Sequence, residues 1–392
     1  MNILYYVPHL TQKSGGIRQY AVGLLKTMAQ LRTHTVYVLH NNHDPEIMNV
    51  IVSSDTLKHI PEKVGRERKW EKSIYKVTQG VHFLLEKGFH KNFRVLSFMD
   101  RICNKYNIDV VHAPFQNQPF SRKAKNIFTL HDVQEIHFPE YFTPEARETR
   151  ARGWLNNIKR TDRIVVSYEH VKKDIIKYFS FEEEKIHVIL LNMNNLWFSN
   201  YSNKDQTDTK ELHGFNNFLL YPANTWQHKN HLRLLDAIAF LQRQEGIKIN
   251  LVCTGNQNEH YQKIKSHIDN LGLDSQVKFL GIVSEKELFS LYHQSMGVVV
   301  PTTYEAGSFP LMESMMMRIP VVCSNVTSLP ETIGNEEFIF DPLDISEITA
   351  KVKALWLDTE FRNRNIKNSK IMSDNLIHTN TLKRLEKLYT VI

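Results

Sequence analysis

The chain has 392 residues, of which 42% are hydrophobic and 23% charged, and its formal net charge is +7. Because domains usually contain about 100 to 200 residues, this length predicts two domains. No apolar run approaches the about 20 residues that a membrane-spanning helix needs, and the first residues lack the pattern of a signal peptide. We therefore expect a cytoplasmic protein, and the basic charge favours an anionic partner.

Short apolar segments alternate with segments of helical period along most of the chain. The first series of strand-like segments is Asn2–Val7, Thr35–Leu39, Asp109–His112, Asn126–Leu130, Arg163–Ser167 and Ile186–Leu191. The second series is Phe218–Tyr221, Lys248–Cys253, Gln276–Leu280, Gly297–Val300, Pro320–Cys323 and Glu337–Asp341. Continuous apolar strands separated by helices are typical of parallel sheets covered on both faces. Each series therefore predicts one doubly wound α/β domain.

The domain boundaries follow from a change in composition. Residues 199–211 are polar and show no apolar period, which is typical of a linker. We expect a first domain at 1–198 and a second domain at 212–372. A last helix at about 373–392 is a candidate to pack back on the first domain.

One basic region departs from the alternation. Residues 58–105 contain twelve Lys or Arg against five Asp or Glu, with aromatic residues interleaved. Amphipathic helices with solvated basic faces explain such a pattern. The functional alternative is a surface for an anionic ligand or for lipid headgroups. Nucleic acid is not expected, because no recognition motif accompanies the charge.

Two segments of the first domain follow strand ends, where open α/β sheets bind ligands. Gly15 and Gly16 follow the first strand and begin a helix. A lone pair of glycines also fits an ordinary tight turn, so this signal is weak. The segment Phe128–Asp132 ends another strand and contains the candidate His131, and His112 also ends a strand as an alternative occupant of a cleft.

The second domain offers a lysine in the loop after its first strand. Lys229 lies between that strand and the next helical segment, and Asn224 precedes it in the same loop. Lysine supplies a point charge to phosphate groups. A solvated lysine at a helix start is the alternative interpretation.

A second loop carries one acidic residue, Glu305, and the helical segment that follows it carries another, Glu313. Gly307 lets a ligand approach the backbone closely. The free N–H groups at Ser308 and Phe309, together with the helix dipole, form an anion site. Glu305 and Glu313 beside such a site are suited to accept hydrogen bonds from the hydroxyl pairs of a sugar or ribose.

The spacing Glu-x7-Glu, from Glu305 to Glu313 with Gly, Phe and Pro between, resembles the signature of the family-4 retaining glycosyltransferases. The resemblance implies a GT-B fold, in which two Rossmann-like domains face a central cleft. It implies that the second domain binds a nucleotide-sugar donor and the first domain the acceptor. It assigns Glu305 to the donor sugar and Glu313 to the ribose.

The resemblance also assigns the remaining site residues. The catalytic set is His131, Glu305 and Lys229, while Arg18 is a further candidate near the donor diphosphate. Asn224 stands where the family often has an arginine. The predicted donor-binding set is Gly15, Gly16, Asn224, Lys229, Val283, Ala306, Gly307, Ser308, Phe309 and Glu313.

The expected reaction moves a hexose from a UDP- or GDP-sugar to a glycan or lipid-linked glycan, in bacterial surface polysaccharide or O-antigen synthesis. Residues 58–105 are then a candidate contact for the acceptor or for the inner face of the membrane. No Asp-x-Asp motif is present, so we expect no metal and no cofactor. The three cysteines, in separate segments, are expected to be buried thiols.

Other functions stay open at this point. A GT-B phosphorylase-like enzyme would use phosphate as the acceptor. A catalytically silent GT-B binding module is disfavoured by the presence of Glu305, Glu313 and Lys229 together. A dehydrogenase is disfavoured because the Gly-x-Gly-x-x-Gly fingerprint of dinucleotide-binding domains is absent.

Overall fold

The structure is a computed structural model that describes residues 1–8, 10, 15–41, 44–61, 97–116, 120–378 and 380–392. Ser14 of the glycine segment and residues 62–96 of the basic region lie outside the described residues. The proposed acceptor or membrane contact through that region therefore stays a prediction.

Seven strands among the described residues form the parallel sheet of the first domain, in the order β3-β2-β1-β4-β5-β6-β7. The strands are β1 (Asn2–Tyr6), β2 (Thr35–His40), β3 (Leu57–Pro61), β4 (Val110–Ala113), β5 (Lys125–Thr129), β6 (Arg163–Val166) and β7 (Ile186–Val188). The helices between them are α1 (Gly15–Met28), α2 (Pro45–Val52), α3 (Phe98–Tyr106), α4 (Gln134–His137), α5 (Pro144–Ile158) and α6 (Glu169–Phe179).

Six strands of the described chain form the parallel sheet of the second domain, in the order β10-β9-β8-β11-β12-β13. The strands are β8 (Leu219–Pro222), β9 (Leu251–Thr254), β10 (Val277–Phe279), β11 (Gly297–Val300), β12 (Val321–Ser324) and β13 (Ile339–Phe340). The helices are α7 (Lys210–His213), α8 (His231–Glu245), α9 (Tyr261–Leu271), α10 (Glu285–Gln294), α11 (Phe309–Met316), α12 (Leu329–Ile333), α13 (Ile345–Leu357), α14 (Thr359–His378) and α15 (Thr381–Thr390).

Each sheet reverses its strand order once, beside its first strand. In the first sheet β1 pairs with both β2 and β4, and in the second sheet β8 pairs with both β9 and β11. The chain leaves such adjacent strands in opposite directions, which opens a crevice at their carboxyl ends. This topology confirms two Rossmann-like α/β domains and places the loops after β8 and β11 at the crevice of the second domain.

A crossing segment, residues 189–201, joins the two domains through apolar packing. Trp197 and Phe198 lie in a short 3-10 helix, Trp197–Asn200, and both are buried. They belong to a continuous apolar cluster that contains residues of α1 and of the second sheet. The crossing segment is therefore part of the core, and the two domains share buried surface there.

The predicted linker, 199–211, lies against the second domain over part of its length. The backbone N–H of Thr207 donates to Ser290 Oγ at 2.9 Å, and the Thr209 hydroxyl donates to Gln294 Oε1 at 2.6 Å. Both acceptors lie on α10. These bonds hold the end of the polar segment on the domain that follows it.

The last helix, α15, packs on the first domain. The Tyr389 hydroxyl lies 2.7 Å from His112 Nδ1, and the Thr381 hydroxyl donates to Leu190 O at 2.8 Å. Arg384 also donates to Val188 O at 2.7 Å, at the end of β7. The chain therefore returns to its first domain after it has formed the second.

Two further observations bear on the expectations from composition. Cys103, Cys253 and Cys323 are buried free thiols. Among the described residues, no helix is both long and apolar enough to cross a bilayer.

Candidate functional site

The loops after β8 and β11 are tied together by backbone and side-chain hydrogen bonds. The His228 carbonyl accepts from the Thr303 backbone N–H at 2.8 Å and from the Thr302 hydroxyl at 2.9 Å. Asn230 is buried, and its Nδ2 donates to Pro301 O at 2.9 Å and to Pro342 O at 2.8 Å. Because Lys229 lies between these two anchors, its position is set relative to the loop after β11.

The result is an ion pair between two of the predicted catalytic residues. Lys229 Nζ lies 2.5 Å from Glu305 Oε2, and the two side chains are 16% and 12% exposed. The Tyr221 hydroxyl donates to Lys229 O at 2.8 Å, and Thr327 donates to Glu305 O at 2.5 Å. The pair thus places a cation and a carboxylate, both partly enclosed, at one place beside the loop after β11.

A helix start lies beside this ion pair. Ser308 is the N-cap of α11, and its side chain accepts from the Leu311 N–H at 3.4 Å. Pro310 occupies the first turn, where the missing N–H costs nothing. The remaining free N–H groups and the helix dipole favour an anion at this end. The helix start predicted for anion binding is therefore present next to Ala306 and Gly307.

Glu313 is more enclosed than its predicted role suggested. It is only 4% exposed, and its two oxygens accept hydrogen bonds from Trp197 Nε1 and from the Tyr292 hydroxyl, each at 2.7 Å. Burial raises the pKa of Glu313, while the bonds from Trp197 and Tyr292 act in the opposite direction. Its contact with a ribose stays a prediction.

Asn224 holds a neighbouring loop that the sequence analysis did not identify. Its Oδ1 accepts from the Asn256 backbone N–H at 2.7 Å. Gly255, before Asn256, has φ +116, and a Cβ there would lie 2.7 Å from the carbonyl carbon of Ala223. Gly255 is therefore required for close backbone approach, and a glycine directly after the apolar β9 was the available signal. Val283, by contrast, lies between β10 and α10, half-buried against the core.

The glycine pair of the first domain faces the second domain. Gly15 and Gly16 begin α1, and a Cβ on Gly16 would lie 3.2 Å from the Phe309 ring. Arg18 points elsewhere, since its Nη2 donates to Asp44 Oδ1 at 3.1 Å and to Glu46 Oε2 at 2.8 Å. Its charge is therefore paired within the first domain. Donor contacts of Gly15 and Gly16 stay predictions.

The two candidate histidines of the first domain differ in their surroundings. His131 Nε2 lies 2.9 Å from Pro114 O, and its ring meets the Tyr20 ring edge-on at 4.8 Å. Burial lowers the pKa of His131, which favours the neutral imidazole. His112 is fully buried against Tyr389, and burial lowers its pKa to about 3. His112 therefore does not line the cleft, because α15 covers it.

Aromatic residues of the first domain contact the two loops that carry Lys229 and Glu305. The ring of Phe138 lies 5.7 Å from that of Tyr304, and the ring of His137 lies 5.6 Å from it. The Tyr141 ring lies 6.4 Å from that of His228. Sequence analysis missed this set, because contacts between domains leave no periodic pattern in either segment.

Within the part of the chain that the structure describes, no three His, Cys, Asp or Glu side chains are grouped so that they could hold a metal ion.

Comparison with known families identifies the class of the protein. Residues 14–190 match the family model described as Glycosyltransferase Family 4, and residues 203–372 match that of Glycosyl transferases group 1. The two matches include nearly all strands of both sheets and both acidic loop residues. The chain belongs to these glycosyltransferases, and its two facing Rossmann-like domains form the GT-B fold.

Individual relatives are similar over part of the chain. It is 24% identical over 262 residues to the O-antigen chain mannosyltransferase B of Escherichia coli, covering 66% of this chain and 68% of that protein. It is also 24% identical over 277 residues to the serotype-specific mannosyltransferase WbdA of Escherichia coli, covering 68% of this chain but only 32% of that protein.

The fold is also similar to solved structures. That of Alr3699/HepE from Anabaena, in complex with UDP and glucose, aligns with a TM-score of 0.70 at 16% identity, covering 100% of both chains. The likeness at this identity concerns the fold.

Proposed function

We propose that the protein transfers a hexose from a UDP- or GDP-sugar to a glycan or lipid-linked glycan, with retention of anomeric configuration. The observation that carries the proposal is the Lys229–Glu305 pair beside the start of α11. Relatives named as mannosyltransferases support a hexose, and those named for the O-antigen support surface polysaccharide synthesis. Such a reaction belongs at the inner face of a bacterial membrane, where lipid-linked acceptors are assembled.

In this proposal, donor binding changes the partner of Lys229 in the ion pair with Glu305. A diphosphate carries more negative charge than one carboxylate, so it takes over Lys229 as its partner. Glu305 is then free to accept hydrogen bonds from the hydroxyls of the donor sugar. Lys229 and the start of α11 stabilise the charge that develops on the departing diphosphate.

His131 and the facing domain complete the proposed site. A neutral imidazole at His131 donates its one N–H from Nε2 to Pro114 O, so its Nδ1 accepts a hydrogen bond from a sugar hydroxyl without adding a charge. The bond from the anomeric carbon to the phosphate oxygen breaks, and the acceptor oxygen bonds that carbon on the same face while its proton passes to the leaving phosphate. Attack on the face that the phosphate leaves accounts for retention. The contacts between the domains exclude water from the reacting atoms.

The proposal is tested with Lys229→Ala and Glu305→Gln. Removing one group that stabilises transition-state charge costs about 10²- to 10³-fold in kcat. We expect each variant to lose at least that much sugar transfer, measured with radiolabelled UDP- and GDP-hexoses and a membrane extract as acceptor. Lys353→Ala, which removes a lysine from an exposed ion pair with Glu245, is the matched control and should retain full transfer.

A thermal-shift screen with UDP and GDP tests donor binding separately. A ligand at 100 times its Kd stabilises the folded state by about 2.7 kcal/mol. Full transfer activity in both site variants would contradict the residue assignment. Sugar release that needs inorganic phosphate and no glycan would instead support the phosphorylase-like alternative.

A further inference from the structure

The side chains that hold Glu313 come from two elements outside its own helix. Trp197 Nε1 donates to Glu313 Oε1 and the Tyr292 hydroxyl donates to Glu313 Oε2, each at 2.7 Å. Trp197 lies in the crossing segment and is 5% exposed, whereas Tyr292 lies on α10 and is fully buried. We infer that Trp197 and Tyr292 are positioning residues that orient Glu313 for the ribose of the donor. The inference rests on the proposed function.

The geometry of the carboxylate supports this role. A carboxylate has about four lone-pair sites, and the bonds from Trp197 and Tyr292, with a further one from Gln19, leave one of them for a ligand. The terminal torsion angle of a glutamate side chain varies over a broad range when no contact restrains the carboxylate. Donors on both oxygens, from two separate elements, fix the rotation of the carboxylate plane. A carboxylate fixed in this way presents its remaining acceptor site in one direction, as the binding of a ribose hydroxyl requires.

The charge state of Glu313 depends on the bonds from Trp197 and Tyr292, with a smaller contribution from Gln19. A buried carboxylate without donors becomes protonated more easily, and a protonated group loses part of its acceptor capacity. Hydrogen bonds to a charged group are worth more than bonds between neutral groups. Removing either donor should therefore weaken recognition of a ribose hydroxyl rather than the hold on the diphosphate.

Trp197 also lies at the junction of the domains. Its side chain lines a small cavity together with Arg18 and Gln19 of α1 and Glu285 of α10. The carboxylate that should bind the ribose is thus held from the segment that joins the two domains. This placement distinguishes Trp197 from an ordinary core residue of either domain.

The test compares the binding of nucleoside diphosphates with that of their 2′-deoxy forms. Calorimetric Kd values are measured for UDP, GDP, 2′-deoxy-UDP and 2′-deoxy-GDP with the full chain and with Tyr292→Phe and Trp197→Phe. We expect the unmodified chain to prefer the ribose form by at least about tenfold. Each variant should lower that preference about fivefold to tenfold, while its Kd for the deoxy form stays within about twofold.

Tyr389→Phe is the matched control. Tyr389 is also a buried tyrosine whose hydroxyl has a partner at 2.7 Å, but that partner is His112 in the first domain. This variant should keep the full ribose preference. Tyr292→Phe removes a single oxygen atom, so it keeps the test valid if Trp197→Phe does not fold.

Two results would overturn the inference. One is an unchanged ribose preference in Tyr292→Phe, and the other is an equal loss of affinity for the ribose and deoxy forms, which a purely structural role predicts. Failure of the proposed function has a different signature, since the unmodified chain would then bind neither UDP nor GDP.

Discussion

Buried histidines illustrate how single residues depend on the packing around them. His231 begins α8, is 3% exposed and lies between the rings of Tyr221 and Phe279, at 4.7 and 5.7 Å. Burial, with a smaller contribution from the nearby Lys229, lowers the pKa of His231 to about 3. Between about pH 3 and pH 6.5 the imidazole is therefore neutral in the folded chain, whereas an unfolded histidine carries a proton.

This difference predicts a pH dependence of stability. The unfolded state binds a proton on His231 near pH 6.5 and the folded state only near pH 3, so stability falls as the pH drops through this window. His231→Phe keeps an aromatic ring and removes the titration. Between about pH 6 and 4, the free energy of unfolding of this variant should fall less steeply than that of the unmodified chain. The two slopes should differ by about 1.4 kcal/mol per pH unit.

Urea unfolding at a series of pH values measures this effect. Above pH 7 the two curves should run parallel, because histidine is then neutral in both states, and this range is the internal control. Parallel curves between pH 6 and 4 as well would contradict the assignment of a neutral buried His231.

At the scale of elements, the candidate site consists of the loops after β8 and β11, and the Asn230 side chain fixes their relative position. This residue has φ 60, which is left-handed backbone that favours glycine or asparagine. Its side chain bonds Pro301 O and Pro342 O, one of which begins the loop that carries Glu305. Asn230 thus has two roles. Its backbone takes the left-handed conformation just before α8, and its side chain connects the loops by hydrogen bonds.

Substitution of Asn230 should separate these two roles. Asn230→Gly loses the two side-chain hydrogen bonds but keeps the backbone conformation. The free energy of unfolding should therefore fall by about 2 kcal/mol, and much of the transfer activity should be lost. Asn230→Ala should cost about 1 kcal/mol more. Urea midpoints and transfer rates measure both effects.

Asn107 offers a control, because it also has left-handed backbone, φ 49, but ends α3 far from the loops. Asn107→Ala should lose stability and keep transfer activity. Full activity in Asn230→Gly would show that the loops keep their register without this side chain.

At the scale of the whole molecule, the first domain contacts the loop after β11 and helix α11 of the second domain. A Cβ on Gly307 would lie 2.3 Å from the ring of Tyr168, and the Tyr168 hydroxyl lies 3.3 Å from Met312 Sδ. Tyr168 belongs to the first domain, whereas Gly307 and Met312 belong to the second. Gly307 is therefore needed for the approach of the facing domain, in addition to any contact with a ligand.

Gly307→Ala should impede this approach. Overpacking of such a contact costs about 1 to 3 kcal/mol, so we expect kcat/KM for transfer to fall about tenfold or more. Adding Tyr168→Ala removes the ring that the new methyl group meets and should restore part of the activity. A double variant no more active than Gly307→Ala alone would contradict the clash, and Tyr168→Ala alone is the control.

Much of this organisation was predictable, because it depends on local pattern. Gly297–Val300 was predicted residue for residue, and most other strands of the apolar series shifted by only a few residues. β3 was missed, since Leu57–Pro61 is short, ends in proline and alternates exposed and buried residues irregularly. The position of Lys229 and Glu305 in loops after strands was also predictable, because it depends on the apolar strand that precedes each loop.

By itself, the sequence determined the two α/β domains, the placement of the functional loops and the spacing of the two acids, since each depends on neighbours along the chain. Only the tertiary structure decided which side chains meet. Glu313 meets Trp197 from 116 positions away, and His112 meets Tyr389 from 277 positions away. Such contacts depend on how the two domains and the last helix pack, and periodicity within a segment carries no information about that packing.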